Sequence, residues 1–386
     1  MFIPYGRQKI DKSDIDSVIK VLKSDFITQG PKVEEFELKI SDFCNVKYSV
    51  AVNSATSALH IACMALGLKK NDFLWTSTNS FVASANCALY CNAKVDLVDI
   101  DPKTYTMNIA HLKQKLEKAK KIGKLPKIIV PVHFAGQSCH MKEIHKLSKK
   151  YNFKIIEDAS HAIGAKYLDK RVGNCNYSDV TVFSFHPVKI ITTAEGGVAT
   201  TNSLEISKKM KRFSTHGITR NKEDMNQVPD GSWYYQQIDL GYNYRMTELQ
   251  AALGISQLKK VNNFIKTRLK LKKRYDDSLA SLPITLPFQS KYCQSSLHLY
   301  PILLDLDKIS LSHREVFENL RANGIGVNLH YIPIHMHPIY EKMGINKRNF
   351  PIANNYYSRA ITIPLNQSLS IAQQDKVIRN LKKILT

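Results

Sequence analysis

An α/β fold built on a mostly parallel sheet is predicted by three observations. Seven short apolar runs fall within the first 200 residues, stretches with helical spacing separate most of them, and past residue 260 the order changes to α+β. The runs are YSVAV (48–52), FLWTS (73–77), KVDLV (94–98), KIIVPVHF (127–134), KIIED (154–158), VTVFSF (180–185) and GVATT (197–201). Between them SALHIACMALGL (57–68) and MKEIHKLSKKY (141–151) carry apolar residues at helical spacing. Strands alternating with helices imply a largely parallel sheet covered on both faces. From Thr247 a long helix is predicted through ELQAALGISQLKKVNNFI, linking two lobes. Beyond it LHLYPILLDL (297–306) and GVNLHYIP (326–333) read as strands. SHREVFENLRANG (312–324) reads as a helix with a Ser312–Glu315 capping box and Gly324 at its end, and DKVIRNLKKIL (375–385) as a closing helix. The expected division is a large domain over 1–260, with a seven-stranded sheet, and a smaller α+β domain over 261–386.

The totals narrow the class of function. With 386 residues, 44% apolar and 23% charged, the chain has the makeup of an ordered globule. The start MFIPYGRQKI lacks a basic region followed by an apolar run, so no signal peptide is expected. No apolar stretch approaches the roughly 18 residues of a membrane span. Seven scattered cysteines, without paired CxxC spacing, fit free thiols in a reducing cytoplasm. The formal net charge of +22 fits anionic small ligands, a nucleic-acid partner or simply solvated lysine-rich faces. The densest basic stretch, KTRLKLKKR (266–274), reads as the outer face of a helix and has no aromatics to stack on bases, so nucleic acid is not the expected partner.

In a parallel sheet ligands bind past the carboxyl ends of the strands, so the residues there carry the argument. After the first strand NSATSA (53–58) opens a helix whose small residues and hydroxyls suit a phosphate, though Ser and Thr are also ordinary helix caps. After the fifth come Asp158 and His161, and after the sixth Ser184, His186 and Lys189. Lys189 stands among core-like Phe183, Phe185 and Val188 and a tight path at Ala194, Gly196 and Gly197. An isolated lysine there would snorkel outward, whereas a buried ammonium must find a partner or lose its proton. A phosphate cradle, a buried carboxylate and a buried lysine on one sheet edge are what a pyridoxal phosphate site needs. Cys139, His140 and His145, or His335 and His337, lack the carboxylates and spacing of a metal site, so no metal is expected.

The ordered motifs TQGPKVEEFE (28–37), NSATSAL (53–59), NSFVASANC (79–87), EDASHAIGA (157–165), FSFHPVKIITTAEGG (183–197), THG (215–217) and GYNYRMTELQAALGISQL (241–258) carry a resemblance across essentially the whole chain. Through them the sequence resembles the DegT/DnrJ/EryC1/StrS family of sugar aminotransferases. The resemblance implies fold type I of the pyridoxal phosphate enzymes, with homodimers whose active sites are shared between subunits. Lys189 matches the Schiff-base lysine and Asp158 the partner of the pyridine nitrogen. Ala55, Thr56 and Ser184 match phosphate contacts, and Phe81 the ring stacked on the cofactor. Asn243 matches an asparagine that reaches the neighbouring subunit's phosphate. His161 stands where many members carry glutamine near the cofactor's ring hydroxyl. NSAT replaces the commoner SGT, a mild departure. Thr28, His330 and Tyr331 match positions that face the sugar substrate.

The resemblance further implies transfer of an amino group from L-glutamate to a ketone on a nucleotide sugar. FSFHPVKIITTAEGG with EDASHA looks most like members acting in pseudaminic acid synthesis on C4 of a UDP-linked 4-keto-6-deoxy-N-acetylhexosamine. A bacillosamine- or perosamine-type aminotransferase is the alternative. Dehydratase relatives carry histidine where this chain has Lys189, which speaks against that chemistry, and the complete lysine–aspartate–phosphate set speaks against a non-catalytic binding or regulatory homologue.

Overall fold

The computed structural model describes residues 2–386. All seven apolar runs become strands of one sheet: β1 (Tyr48–Val52), β2 (Phe73–Ser77), β3 (Lys94–Val98), β4 (Ile128–Val130), β5 (Lys154–Asp158), β6 (Val180–Ser184) and β7 (Gly197–Thr201). Their spatial order is β1-β7-β6-β5-β4-β2-β3. Every pairing is parallel except those of β7, which runs antiparallel between β1 and β6. Strand β4 is shorter than the run 127–134 because Pro131 has no N–H for a ladder.

Helices cover both faces, as runs buried on two sides require. In the order of the chain they are α1 (Lys12–Leu22), α2 (Pro31–Cys44), α3 (Ala55–Ala65), α4 (Ala83–Tyr90), α5 (Ile109–Lys121), α6 (Met141–Tyr151) and α7 (Leu204–Ser214). On one face Ala58, Leu59 and Ala62 of α3 share a core with Val182 and Ala199. On the other, Leu112 and Leu116 of α5 and Ile144 of α6 pack with Ile129 and Ile155.

The later elements form a second layer. Strand segments Ile284–Thr285, Tyr300–Leu304 and Ala360–Ile363 make an antiparallel sheet. The predicted capping box of Ser312 and Glu315 is present on the helix His313–Ala322, and Gly324 takes a φ of +75° just beyond it. A closing helix, Ile371–Leu385, begins at its own Ser370–Gln373 capping box, ahead of the predicted start. No helix among the described residues is long and apolar enough to cross a membrane.

Three expectations are corrected. The long helix after Thr247 is two helices, α8 (Glu248–Leu258) and α9 (Val261–Leu279). The Lys260 amide bonds back three residues to Gln257, and its ammonium lies 2.7 Å from both Asp11 and Asp14, so the break lies where the N-terminal segment docks. The run 326–333 is not a strand beyond Gly326. Side-chain acceptors take amides that a ladder would use: Leu329 N–H donates to Asn328 Oδ1 at 2.9 Å and Tyr331 N–H to Asn79 Oδ1 at 3.1 Å. Finally, the basic stretch 266–274 is not wholly an outer face. Arg268 lies in the buried stripe of α9 with Val261, Phe264, Leu271 and Tyr275. Its guanidinium donates to the carbonyls of Leu297 (3.0 Å), His298 (3.2 Å) and Leu365 (2.7 Å) and to Gln367 Oε1 (2.8 Å), and burial lowers its pKa to about 9.

Candidate active site

The carboxyl ends of β1, β2, β5 and β6 meet at one cavity of about 440 Å³, within the range of small-ligand sites. The loop from β6 to β7 delivers Lys189 to it. Phe185 N–H donates to the Gly196 carbonyl at 2.9 Å, while the Thr193 amide and Thr192 hydroxyl return to the Phe185 carbonyl at 3.0 and 2.9 Å. Buried Ile190 and Ile191 anchor the loop in the core, leaving Lys189 on the cavity wall. Burial lowers its pKa to about 8, against the opposing pull of Asp158. A sizeable fraction of amine is therefore neutral near physiological pH.

Asp158, at the end of β5, is held from two sides. Its Oδ2 accepts from the Ser84 hydroxyl at 2.6 Å and its Oδ1 from the Ser160 amide at 3.1 Å. Ser84 Oγ also lies 2.7 Å from Ser80 Oγ, and the side chains of Asp158, Ser84 and Ser80 are all buried.

A third wall is the first turn of α3. Ser54 caps it, its Oγ accepting from the Ser57 amide at 3.1 Å, and Ser54, Ala55 and Thr56 line the cavity with Ser184. Gly197 pairs with both Val52 and Ser184 at this edge. A Cβ there would fall 2.4 Å from the Ser54 carbonyl carbon and 2.5 Å from the Ala55 nitrogen, so only glycine lets β7 run so close to the helix start.

Of the eleven predicted residues, eight line this cavity: Ala55, Thr56, Phe81, Asp158, His161, Ser184, Lys189 and Tyr331. Phe81 keeps 59% of its surface exposed at the rim, a large ring with little protein to cover it. The other three do not reach the wall in one chain. Thr28 is exposed and bridges Thr247, and Asn243 is exposed and bridges Thr215. His330 is buried behind the wall, its Nδ1 3.0 Å from Thr362 Oγ1 and its ring edge-on to Tyr5, and burial lowers its pKa to about 3. Sequence reasoning missed Ser84, Ser80, Ser160 and Glu195. Ser84 sits one turn past Phe81, and a hydroxyl at a helix start beside a strand end was the available signal.

Three of the residues read as non-ligands have hydrogen-bond partners within the protein. His335 spans Thr78 and Asn354, His145 meets the Tyr177 carbonyl, and Cys139 Sγ donates to the Val132 carbonyl. Among the described residues no group of three or more His, Cys, Asp or Glu side chains is placed to hold a metal.

The sequence profile of the DegT/DnrJ/EryC1/StrS aminotransferase family matches residues 8–382. The chain belongs to that family. Its homologues and structural neighbours are pyridoxal phosphate-dependent sugar aminotransferases. The aminotransferase is 39% identical over 386 residues to the UDP-4-amino-4,6-dideoxy-N-acetyl-beta-L-altrosamine transaminase of Campylobacter jejuni, covering 99% of this chain and 97% of the relative. Helicobacter pylori PseC, an aminotransferase involved in the biosynthesis of pseudoaminic acid, superimposes with a TM-score of 0.89 at 30% identity, over 100% of this chain and 99% of that one. The PLP form of the putative sugar aminotransferase Spr1654 from Streptococcus pneumoniae superimposes at 0.88 with 28% identity, over the whole of both chains. The cavity fits that cofactor: a helix start kept open by Gly197 suits a phosphate, a twice-held carboxylate suits a protonated ring nitrogen, and a partly neutral lysine suits a carbonyl.

Proposed function

We propose that the aminotransferase moves an amino group from L-glutamate to C4 of a UDP-linked 4-keto-6-deoxy-N-acetylhexosamine. The observation that carries this reading is the convergence of Lys189, Asp158 and the α3 start on one cavity, in a chain similar throughout to the Campylobacter jejuni transaminase. Ser54, Ala55, Thr56 and Ser184 would hold the phosphate, Phe81 would cover the ring, and Asp158 would face its nitrogen. When bound, pyridoxal phosphate supplies an electron sink for the bond broken at the amino-bearing carbon. Lys189 Nζ would carry the proton from the amino-bearing carbon of glutamate to the cofactor in the first half-reaction, and from the cofactor to C4 of the sugar in the second, work that suits an amine with a pKa of about 8. Incubation of the protein with glutamate and a panel of UDP- and GDP-linked 4-keto sugars, with products read by mass and NMR, tests this directly. The expected product is the C4-aminated UDP sugar; amination of GDP sugars alone would overturn the substrate while leaving the enzyme class intact.

The site is proposed to be shared by two chains. What supports this is that Asn243 stands exposed and away from its own cavity, after a segment that exposes Val228, Trp233 and Leu240. Lys189→Met and Asn243→Ala homodimers should each be impaired. Refolded together, they form mixed dimers in which one site carries both defects and the other neither. Activity should then recover toward about a quarter of wild type if chains pair at random, half of them mixing and each mixed dimer keeping one of two sites. No recovery in verified mixed dimers would refute the shared site.

A further inference from the structure

Asn243 is exposed, and among the described residues neither its main-chain groups nor its side-chain amide makes a hydrogen bond. Its two neighbours are bound inward instead. Tyr242 N–H donates to the Phe213 carbonyl at 2.7 Å and Tyr244 N–H to the Ser214 carbonyl at 3.0 Å, while their own carbonyls accept from the amides of His216 (3.0 Å) and Asn53 (2.8 Å). The chain is extended here, with Asn243 bridging Thr215 and Arg245 bridging Val52, so alternate side chains face opposite ways. Both tyrosine rings turn toward α3. His60, buried in that helix, lies 4.9 Å from the Tyr242 ring and 6.0 Å from the Tyr244 ring, and its Nδ1 is 3.2 Å from the Tyr244 hydroxyl. The two tyrosines stack on each other at 5.0 Å, and burial lowers the His60 pKa to about 4, so the imidazole between them and the helix is neutral near physiological pH. With Tyr242 and Tyr244 held on this side, Asn243 is left on the other.

We propose that His60 is a positioning residue for the partner's site, which through Tyr242 and Tyr244 aims Asn243 out of its own chain. This rests on the shared-site reading. The competing role is local, because the Asn53 amide holds the Tyr244 carbonyl just before the α3 start, at the cavity of the same chain.

Mixed dimers separate the two roles. Cofactor-free protein is titrated with pyridoxal phosphate, and the visible band of the lysine-bound cofactor is followed. His60→Leu homodimers should bind about three- to tenfold more weakly than wild type, and a chain carrying both His60→Leu and Asn243→Ala should be no weaker than Asn243→Ala alone. In mixed dimers with Lys189→Met, the band reports only the site whose Lys189 comes from the His60→Leu chain, and the asparagine serving that site comes from the other chain. Wild-type affinity should therefore return there, as it should for Asn243→Ala paired in the same way. Recovery with Asn243→Ala but not with His60→Leu would overturn the proposal and assign His60 to the site of its own chain. Recovery with neither would remove the shared site beneath it. If His60→Leu does not fold, Tyr244→Phe, which keeps both rings and removes only the hydroxyl facing His60, decides it by the same pairing. Wild-type binding by homodimers of a folded variant would also overturn the proposal.

Discussion

Lys189→Met is expected to abolish transamination and the visible absorbance of the lysine-bound cofactor, while pyridoxal phosphate still binds through the α3 start. Methionine keeps an unbranched apolar stem as far as Cε and lacks the amine, so the loss reports chemistry rather than packing. Retention of both absorbance and turnover would sink the assignment of Lys189. For stability the same substitution should act in the opposite direction. The pKa of Lys189 falls from 10.5 to about 8 on folding, with burial as the cause. Well below pH 8 both states hold the proton and the folded state carries the whole cost of the desolvated ammonium. Between about 8 and 10.5 the unfolded chain binds more protons, so stability rises with pH and that cost is relieved. Cofactor-free Lys189→Met should therefore unfold at higher urea than cofactor-free wild type at pH 7, and the gap should narrow by about pH 9.5, midway through that window. A gap that does not change with pH would mean that Lys189 is not desolvated.

Much of this site was legible because a parallel sheet places its ligands at a known edge. Lys189, Asp158, Ser184, Ala55 and Thr56 each lie at or just past the end of an apolar run, and all five line the cavity. What was not legible depends on partners remote in sequence. Ser84 is 74 residues from the Asp158 it holds, and His161 is 170 from Tyr331, separations that no local pattern encodes. His330 and Tyr331 are adjacent, yet one packs on Tyr5 and the other lines the cavity, because side-chain acceptors replace the ladder of a strand there. Arg268 is different, since periodicity alone places it. Its spacing from Phe264, Leu271 and Tyr275 puts it in the apolar stripe, but the surrounding lysines give the stretch the look of a solvated face.

Asp158→Asn is expected to slow transamination about 30- to 1000-fold, the equivalent of roughly 2–4 kcal/mol of barrier for one charge-assisted hydrogen bond lost in a dry site. The surroundings allow the substitution without misfolding. An amide oxygen in place of Oδ1 still accepts from the Ser160 N–H, and an amide nitrogen in place of Oδ2 meets Ser84 Oγ. Ser84 can then turn its proton toward Ser80 Oγ, 2.7 Å away, and the Ser80 proton and second amide hydrogen displaced by this belong to residues that line the open cavity. The shape of the cavity and the thermal midpoint should both stay near wild type, which separates loss of charge from loss of structure. What disappears is the negative charge that keeps a ring nitrogen protonated, and with it the pull on electrons from the substrate carbon. A rate within about threefold of wild type, worth well under 1 kcal/mol of barrier, would show that a group other than Asp158 fills this role.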